Sequence, residues 1–166
     1  MARRIDLIVV PVCAGLLLLW SGRTAAVGLD GGALSPCPVS PNCVSSRSGD
    51  SSHYVEPYPY DGLQAEARRR LIIAVESISR SLVVAATEDY IHAEFTSAVF
   101  GFVDDAEFLF DDSRKVIHVR SASRSGYYDF GVNRRRIETI RALFLAQKSS
   151  STPEQNQRAI PHAVAQ

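Results

Sequence analysis

Between residues 82 and 122 the chain holds four extended apolar segments, joined by links too short for anything except a reversal of direction. They cover residues 82–87, 90–97, 100–110 and 115–122. Parallel neighbours need a crossover of a dozen or more residues, and neither Glu88-Asp89 nor Asp111-Asp112-Ser113-Arg114 supplies one. The spacing therefore predicts a four-stranded antiparallel meander. The first segment, rich in valine, reads as a buried strand. In the second, Ile91, Ala93 and Phe95 share one face, with Tyr90, His92, Glu94 and Thr96 on the other. Gly101 reads as a bulge or bend in the third.

A helical period flanks this block on both sides. After Asp61-Gly62, apolar residues recur at helical spacing through Leu63, Ala67, Leu71, Ala74, Val75 and Ile78, and Arg68, Arg69 and Arg70 form a solvated face. A second helix is predicted over 133–147, with Ile137, Ile140 and Phe144 on one side. Two amphipathic helices beside a meander make an α+β two-layer sandwich, with one helix N-terminal and one C-terminal to the sheet. The organisation read from the 166 residues has four parts. Residues 1–26 are a signal peptide or membrane anchor, and 27–60 a Pro/Ser-rich lead-in. Residues 61–147 are the α+β domain, and 148–166 a polar tail expected to be disordered.

The N-terminal part has the anatomy of a secretory signal. Arg3 and Arg4 precede an apolar run, 7–20, and Thr24-Ala25-Ala26 offers small residues for cleavage. A spanning helix needs about 20 apolar residues, and Asp6, Pro11 and Arg23 bound or interrupt this run. Cleavage near Val27 is the first reading and a retained inner-membrane anchor the second. Cleavage removes Cys13 and leaves Cys37 and Cys43, an even number suited to an oxidising compartment. The turn Pro38-Val39-Ser40-Pro41-Asn42 between them favours a disulfide. Free thiols are the alternative, and a zinc knuckle fits the spacing poorly, with only His53 as a nearby third ligand. Within the lead-in, residues 27–52 read as loop. Residues 54–60, with Pro57 and Pro59, must be extended and form an arm packed on the domain.

Several separate motifs carry a family resemblance. Cys37-Pro38, Pro41-Asn42-Cys43-Val44-Ser45-Ser46 and Phe102-Val103-Asp104-Asp105-Ala106-Glu107-Phe108 resemble motifs of the domain-of-unknown-function family 1499. So do Ile117-His118-Val119-Arg120-Ser121-Ala122-Ser123-Arg124 and Asp129-Phe130-Gly131-Val132-Asn133-Arg134. The likeness runs over about residues 34–144. It implies an exported or membrane-associated protein and brings no assigned catalytic residues.

The same motifs hold the candidate site. Asp104, Asp105, Glu107, Arg120 and Arg124 sit in segments that are otherwise half-buried strands, where charges need partners or water. The candidate ligand-binding set is Asp104, Asp105, Glu107, Arg120, Ser121, Ser123, Arg124, Asn133 and Arg134. One arrangement is an internal polar network, with the carboxylates paired to Arg120, Arg124 or Arg134. A second is an anion site. Arg134, Arg135 and Arg136 fall in the first turn of the last helix, where each exposed cation costs about 0.3–1 kcal/mol, and free amides there attract anions. Asp129 or Glu138 offer the same relief. A third, a hard cation held by Asp104, Asp105 and Glu107, founders on the alternation that sends Asp104 and Asp105 to opposite faces. No metal and no cofactor are expected, and His92 and His118 read as ordinary strand histidines.

Lys+Arg and Asp+Glu balance at 18 each, so no bulk positive field attracts nucleic acid. Membrane contact is expected only through a retained N-terminal segment. The reading is an exported cell-envelope domain, binding or structural, whose partner is a small anionic ligand or an envelope protein. The alternative is an enzyme on an anionic substrate, with Asp105 or Glu107 as base and Arg120 or Arg124 as clamp.

Overall fold

The computed structural model describes residues 27–150. The signal segment and all but the start of the expected tail lie outside the described residues. In chain order the elements are β1 (Leu29–Asp30), β2 (Ala33–Leu34), β3 (Cys43–Ser45), β4 (Tyr58–Pro59) and α1 (Gln64–Glu76). There follow β5 (Ser81–Ala86), β6 (Tyr90–Thr96), β7 (Val103–Asp111), β8 (Val116–Ser123) and α2 (Val132–Ser150).

The protein is α+β, with two helices and a mostly antiparallel sheet. β5 to β8 form the meander that the short links require, each strand antiparallel to the next. The sheet has six strands, not four, in the order β3-β8-β7-β6-β5, with β4 also paired to β8. Both extra strands come from the lead-in. They are three and two residues long, too short to show a period of two, and Pro57 and Pro59 mask the second. A separate two-stranded hairpin joins β1 to β2.

The first meander strand is not buried. β5 is the sheet edge, with Leu82 63% and Val84 49% exposed. A run of valines reads alike in a central strand and in an edge strand with one uncovered side. The register shifts between Val83 and Ala85, so the bulge falls here and not at Gly101. Gly101 instead sits in the β6–β7 turn with φ +65°, a conformation open to glycine at no steric cost. Phe100 and Phe102 belong to that turn.

One sheet face carries the core. Ile91, Ala93, Phe95, Ala106, Phe108, Phe110, Ile117 and Val119 join Leu71, Ala74, Val75, Ile137, Ile140 and Phe144 in a single buried cluster. Both helices therefore cover the same face. Burying a side chain of this size contributes about 1.5–3 kcal/mol. The arm supplies Tyr58, fully buried, whose ring lies 6.1 Å from those of Phe108 and Phe144. Its hydroxyl donates to the Ile137 carbonyl at 2.5 Å. α2 continues to Ser150, beyond the expected end at 147.

Candidate functional site

The opposite sheet face is polar, and a strap crosses it. Register places Ser45, Arg120, Glu107 and His92 side by side across β3, β8, β7 and β6. Residues 28–34 lie over this row. β2 packs on β7 and β8, and the Gly28 amide donates to Glu107 Oε1 at 2.6 Å. The Ser35 hydroxyl donates to the Gly28 carbonyl, which holds the strap on itself. A disulfide from Cys37 to Cys43 fastens the far end of the strap to β3.

Under the strap, Glu107 and Arg120 are both completely buried. Arg120 Nη1 donates to Glu107 Oε2 at 2.7 Å, and the Tyr90 hydroxyl donates to Oε1 at 2.7 Å. Burial first, and then the Glu107 carboxylate, hold the Tyr90 hydroxyl protonated far above the usual phenol range. Glu107 thus accepts three bonds. Arg120 is less well served, because its Nε and Nη2 have no partner although no solvent reaches them. Buried donors without a partner are rare and costly.

His118 lies two residues from Arg120 on the same face of β8, and its buried Nε2 is also unpartnered. Its other ring nitrogen meets Ser46. The Ser46 hydroxyl oxygen accepts from the Val119 amide at 2.9 Å and lies 3.3 Å from His118 Nδ1. The hydroxyl has a hydrogen and a second lone pair left, so it serves either ring tautomer. Burial, then the Arg47 charge, push the His118 pKa down, so the neutral form prevails. Of the three unpartnered atoms on β8, the two on Arg120 are donors in every state. A cleft of about 490 Å³ opens between the strap end and the loop after β3, lined by Leu34, Cys37, Ser45, Arg47 and His53 among others. Ser45, the register partner of Arg120 on the neighbouring strand, is one of the lining residues; Arg120 itself is not.

A second row on this face is closed. Asp105 accepts from His92 Nε2 at 2.7 Å, from Arg124 Nε at 2.9 Å and from Arg124 Nη2 at 2.8 Å. Arg124 also donates to Glu94. Burial raises the Asp105 pKa, but the His92 and Arg124 hydrogen bonds outweigh it and hold the carboxyl at about 2. The bonds to Asp105, then to Glu94, raise that of Arg124 further. A carboxylate this acidic is a poor general base at neutral pH. The ligand-type atoms of His92, Glu94 and Asp105 lie within 4.8 Å of one another. The Arg124 guanidinium already supplies the positive charge that these carboxylates call for.

The remaining candidates lie elsewhere. Asp104 points to the helix side, as alternation requires, and accepts from Arg136 Nη2 at 2.5 Å. Asn133 is fully buried there. It donates to the Asn42 carbonyl and Ser123 hydroxyl at 3.0 Å, and accepts from the Ser121 hydroxyl at 2.6 Å. These bonds dock the start of α2 onto the sheet. Asp129 caps the helix by accepting from the Gly131 and Asn133 amides. The three arginines are engaged internally. Arg134 donates to the Ser52 and Tyr54 carbonyls, Arg135 to the Phe130 carbonyl, and Arg136 to Asp104. The candidate set is thus two clusters on opposite faces, plus Arg134 on the arm.

Gly28, Tyr90, Ser46 and His118 were absent from the set read from sequence. Tyr90 shares the polar face with His92 and Glu94, a signal that was legible. Gly28 carried none.

This is a small α+β domain with a helix-covered face and a strapped polar face. Residues 33–144 match the family model described as Protein of unknown function (DUF1499), and the chain belongs to that family. No curated protein matches the chain. Among the described residues no helix is long and apolar enough to cross a membrane.

Proposed function

We propose that the domain is an exported binding module that takes a small anion, a carboxylate or phosphate, on the unused edge of Arg120. The observation that carries the reading is the completely buried guanidinium whose Nε and Nη2 meet no acceptor. A guanidinium fork matches a carboxylate or phosphate with two parallel hydrogen bonds. Glu107 uses only the opposite edge, through Nη1. His118 Nε2, unpartnered on the same face of β8, is a third polar atom there and donates in its Nε2–H tautomer. The neighbouring cleft falls in the size range of small-molecule sites, about 300–1,000 Å³. The strap covers the guanidinium, and its movement admits the ligand. Export rests on the signal-like segment 1–26 and agrees with the Cys37–Cys43 disulfide, a bond that persists in oxidising compartments.

Thermal melts at constant ionic strength test the reading, with chloride replaced by acetate, succinate or phosphate. Wild-type protein gains about 2.7 kcal/mol at a hundredfold excess of ligand over its dissociation constant. Arg120→Lys, which keeps the charge and loses the fork, does not respond. Wild-type melts indifferent to every anion mean that water fills the place, and the reading fails.

A further inference from the structure

Three loops meet at the end of the sheet where β6 and β8 finish and β7 begins. The first, 38–42, lies inside the disulfide, the second, 97–102, joins β6 to β7, and the third, 125–131, leads from β8 into α2. Hydrogen bonds hold them together. Asn42 Nδ2 donates to the Gly126 carbonyl at 2.6 Å, and the Arg124 amide to the Val103 carbonyl at 3.2 Å. The second loop is closed by two bonds between Ser97 and Phe102.

Each loop presents apolar side chains to solvent. Val39 is 94% exposed on the first. Phe100 and Phe102, their rings 5.6 Å apart, are 76% and 54% exposed on the second. Tyr128 and Phe130, at 5.0 Å, are 59% and 78% exposed on the third. Charged residues make up 22% of the chain, yet these loops hold one, Asp129, whose two oxygens are taken up in capping α2. Scattered exposed apolar residues are ordinary on a protein surface. Three adjoining loops tipped with phenylalanine, tyrosine and valine and stripped of free charge mark an interaction surface.

We propose that this end of the domain is a lipid-contacting tip, whose loops enter the boundary between headgroups and acyl chains. Phenylalanine rings suit the acyl side of that boundary, and tyrosine suits the headgroup level. Arg135, exposed in the first turn of α2 and bonded to the Phe130 carbonyl, stands beside the third loop, where it meets lipid phosphate. One feature favours lipid over a protein partner: the same chain carries the apolar run 7–20. Seven residues separate Trp20 from Gly28 and reach at most about 25 Å. Gly28 is fixed to Glu107, which lies four residues from the loop end of β7, about 13 Å along the strand. The apolar run and the tips can therefore meet one bilayer.

The test places a single reporter at the tip. Full-length protein carrying Trp20→Phe and Phe100→Trp is reconstituted with phosphatidylcholine/phosphatidylglycerol vesicles. A control carries Trp20→Phe and Ser113→Trp, at the opposite end of the sheet. Position 100 is expected to shift its emission to the blue and to be quenched by brominated acyl chains, and position 113 to do neither. Two outcomes overturn the proposal. In one, position 100 in vesicle-bound protein stays as open to aqueous acrylamide as position 113. In the other, the blue shift appears without vesicles and grows with protein concentration, which identifies the tip as an interface between copies of the chain.

Discussion

Replacing Glu107 by Gln tests whether the strapped face is built around a real buried ion pair. The carboxylate accepts from three donors, the Gly28 amide, the Tyr90 hydroxyl and Arg120 Nη1. A glutamine offers one oxygen, so its NH₂ must face at least one of them. It also leaves Arg120, which is 0% exposed, without a counter-charge. Breaking a buried pair from one side costs about 3–5 kcal/mol. For a domain of this size, at about 4 °C per kcal/mol, the midpoint falls by roughly 10–20 °C. Urea unfolding at pH 7 gives the free energy, and an unchanged slope confirms the same two end states. The double variant Glu107→Leu/Arg120→Met removes both charges and leaves only neutral donors behind. It is expected to recover at least half of the loss, a strongly non-additive cycle. A Glu107→Gln cost below about 1 kcal/mol, or an additive cycle, would refute the reasoning.

Three further outcomes follow from the same geometry. Asp105 has a folded pKa of about 2 against an ordinary value of 3.8, so its contribution is present above pH 4 and lost as pH falls toward 2, of order 2 kcal/mol. Asp105→Asn should flatten that part of the stability curve measured by denaturant unfolding, and an acid limb identical to wild type would remove Asp105 as its source. Asn133→Ala frees buried partners on Ser121, Ser123 and Asn42 and should cost about 2–4 kcal/mol in urea melts, more than Ser123→Ala, so equal losses would deny Asn133 its central position. Cys37→Ser/Cys43→Ser opens a loop with a sequence separation of 6 and should cost about 2 kcal/mol or less, while amide exchange at Gly28 and Leu34 rises as the strap loosens. Unchanged exchange there would show that the hydrogen bonds hold the strap unaided.

What could be read from the sequence was what period and chemistry write directly. The alternation in β6 put Ile91, Ala93 and Phe95 inward, and the same rule separated Asp104 from Asp105. The Pro-rich turn pointed to the Cys37–Cys43 bond. That these carboxylates pair with arginines also followed from charges placed in strands, though not which with which. Asp105 takes Arg124, Glu107 takes Arg120, and Asp104 takes Arg136, which the sequence reading had not paired with it. Depth did not follow, because Glu107 and Arg120 are buried by a glycine-rich strap that has no periodic pattern. Nor did the destination of the α2 arginines. Arg134 bonds the carbonyls of Ser52 and Tyr54, and a backbone acceptor leaves no residue type for a reader to pair. An apolar run such as Leu82-Val83-Val84 looks the same at a sheet edge as in its centre, which is why β5 read as buried.

The strands of the lead-in also set the order in which the molecule can be completed. Tyr58 meets Ile137 across a sequence separation of 79, Gly28 meets Glu107 across 79, and Asn42 meets Asn133 across 91. Closing a chain loop of that length costs roughly 4 kcal/mol in entropy, before any constant term. The β5–β8 hairpins close over a handful of residues and form ahead of it. Until then the outer edge of β8 stands open, a template for pairing with another chain. On a ribosome the lead-in emerges ahead of the meander and has nothing to pair with until β8 has followed it out. The part of the domain made before the meander is thus the part that finishes the fold.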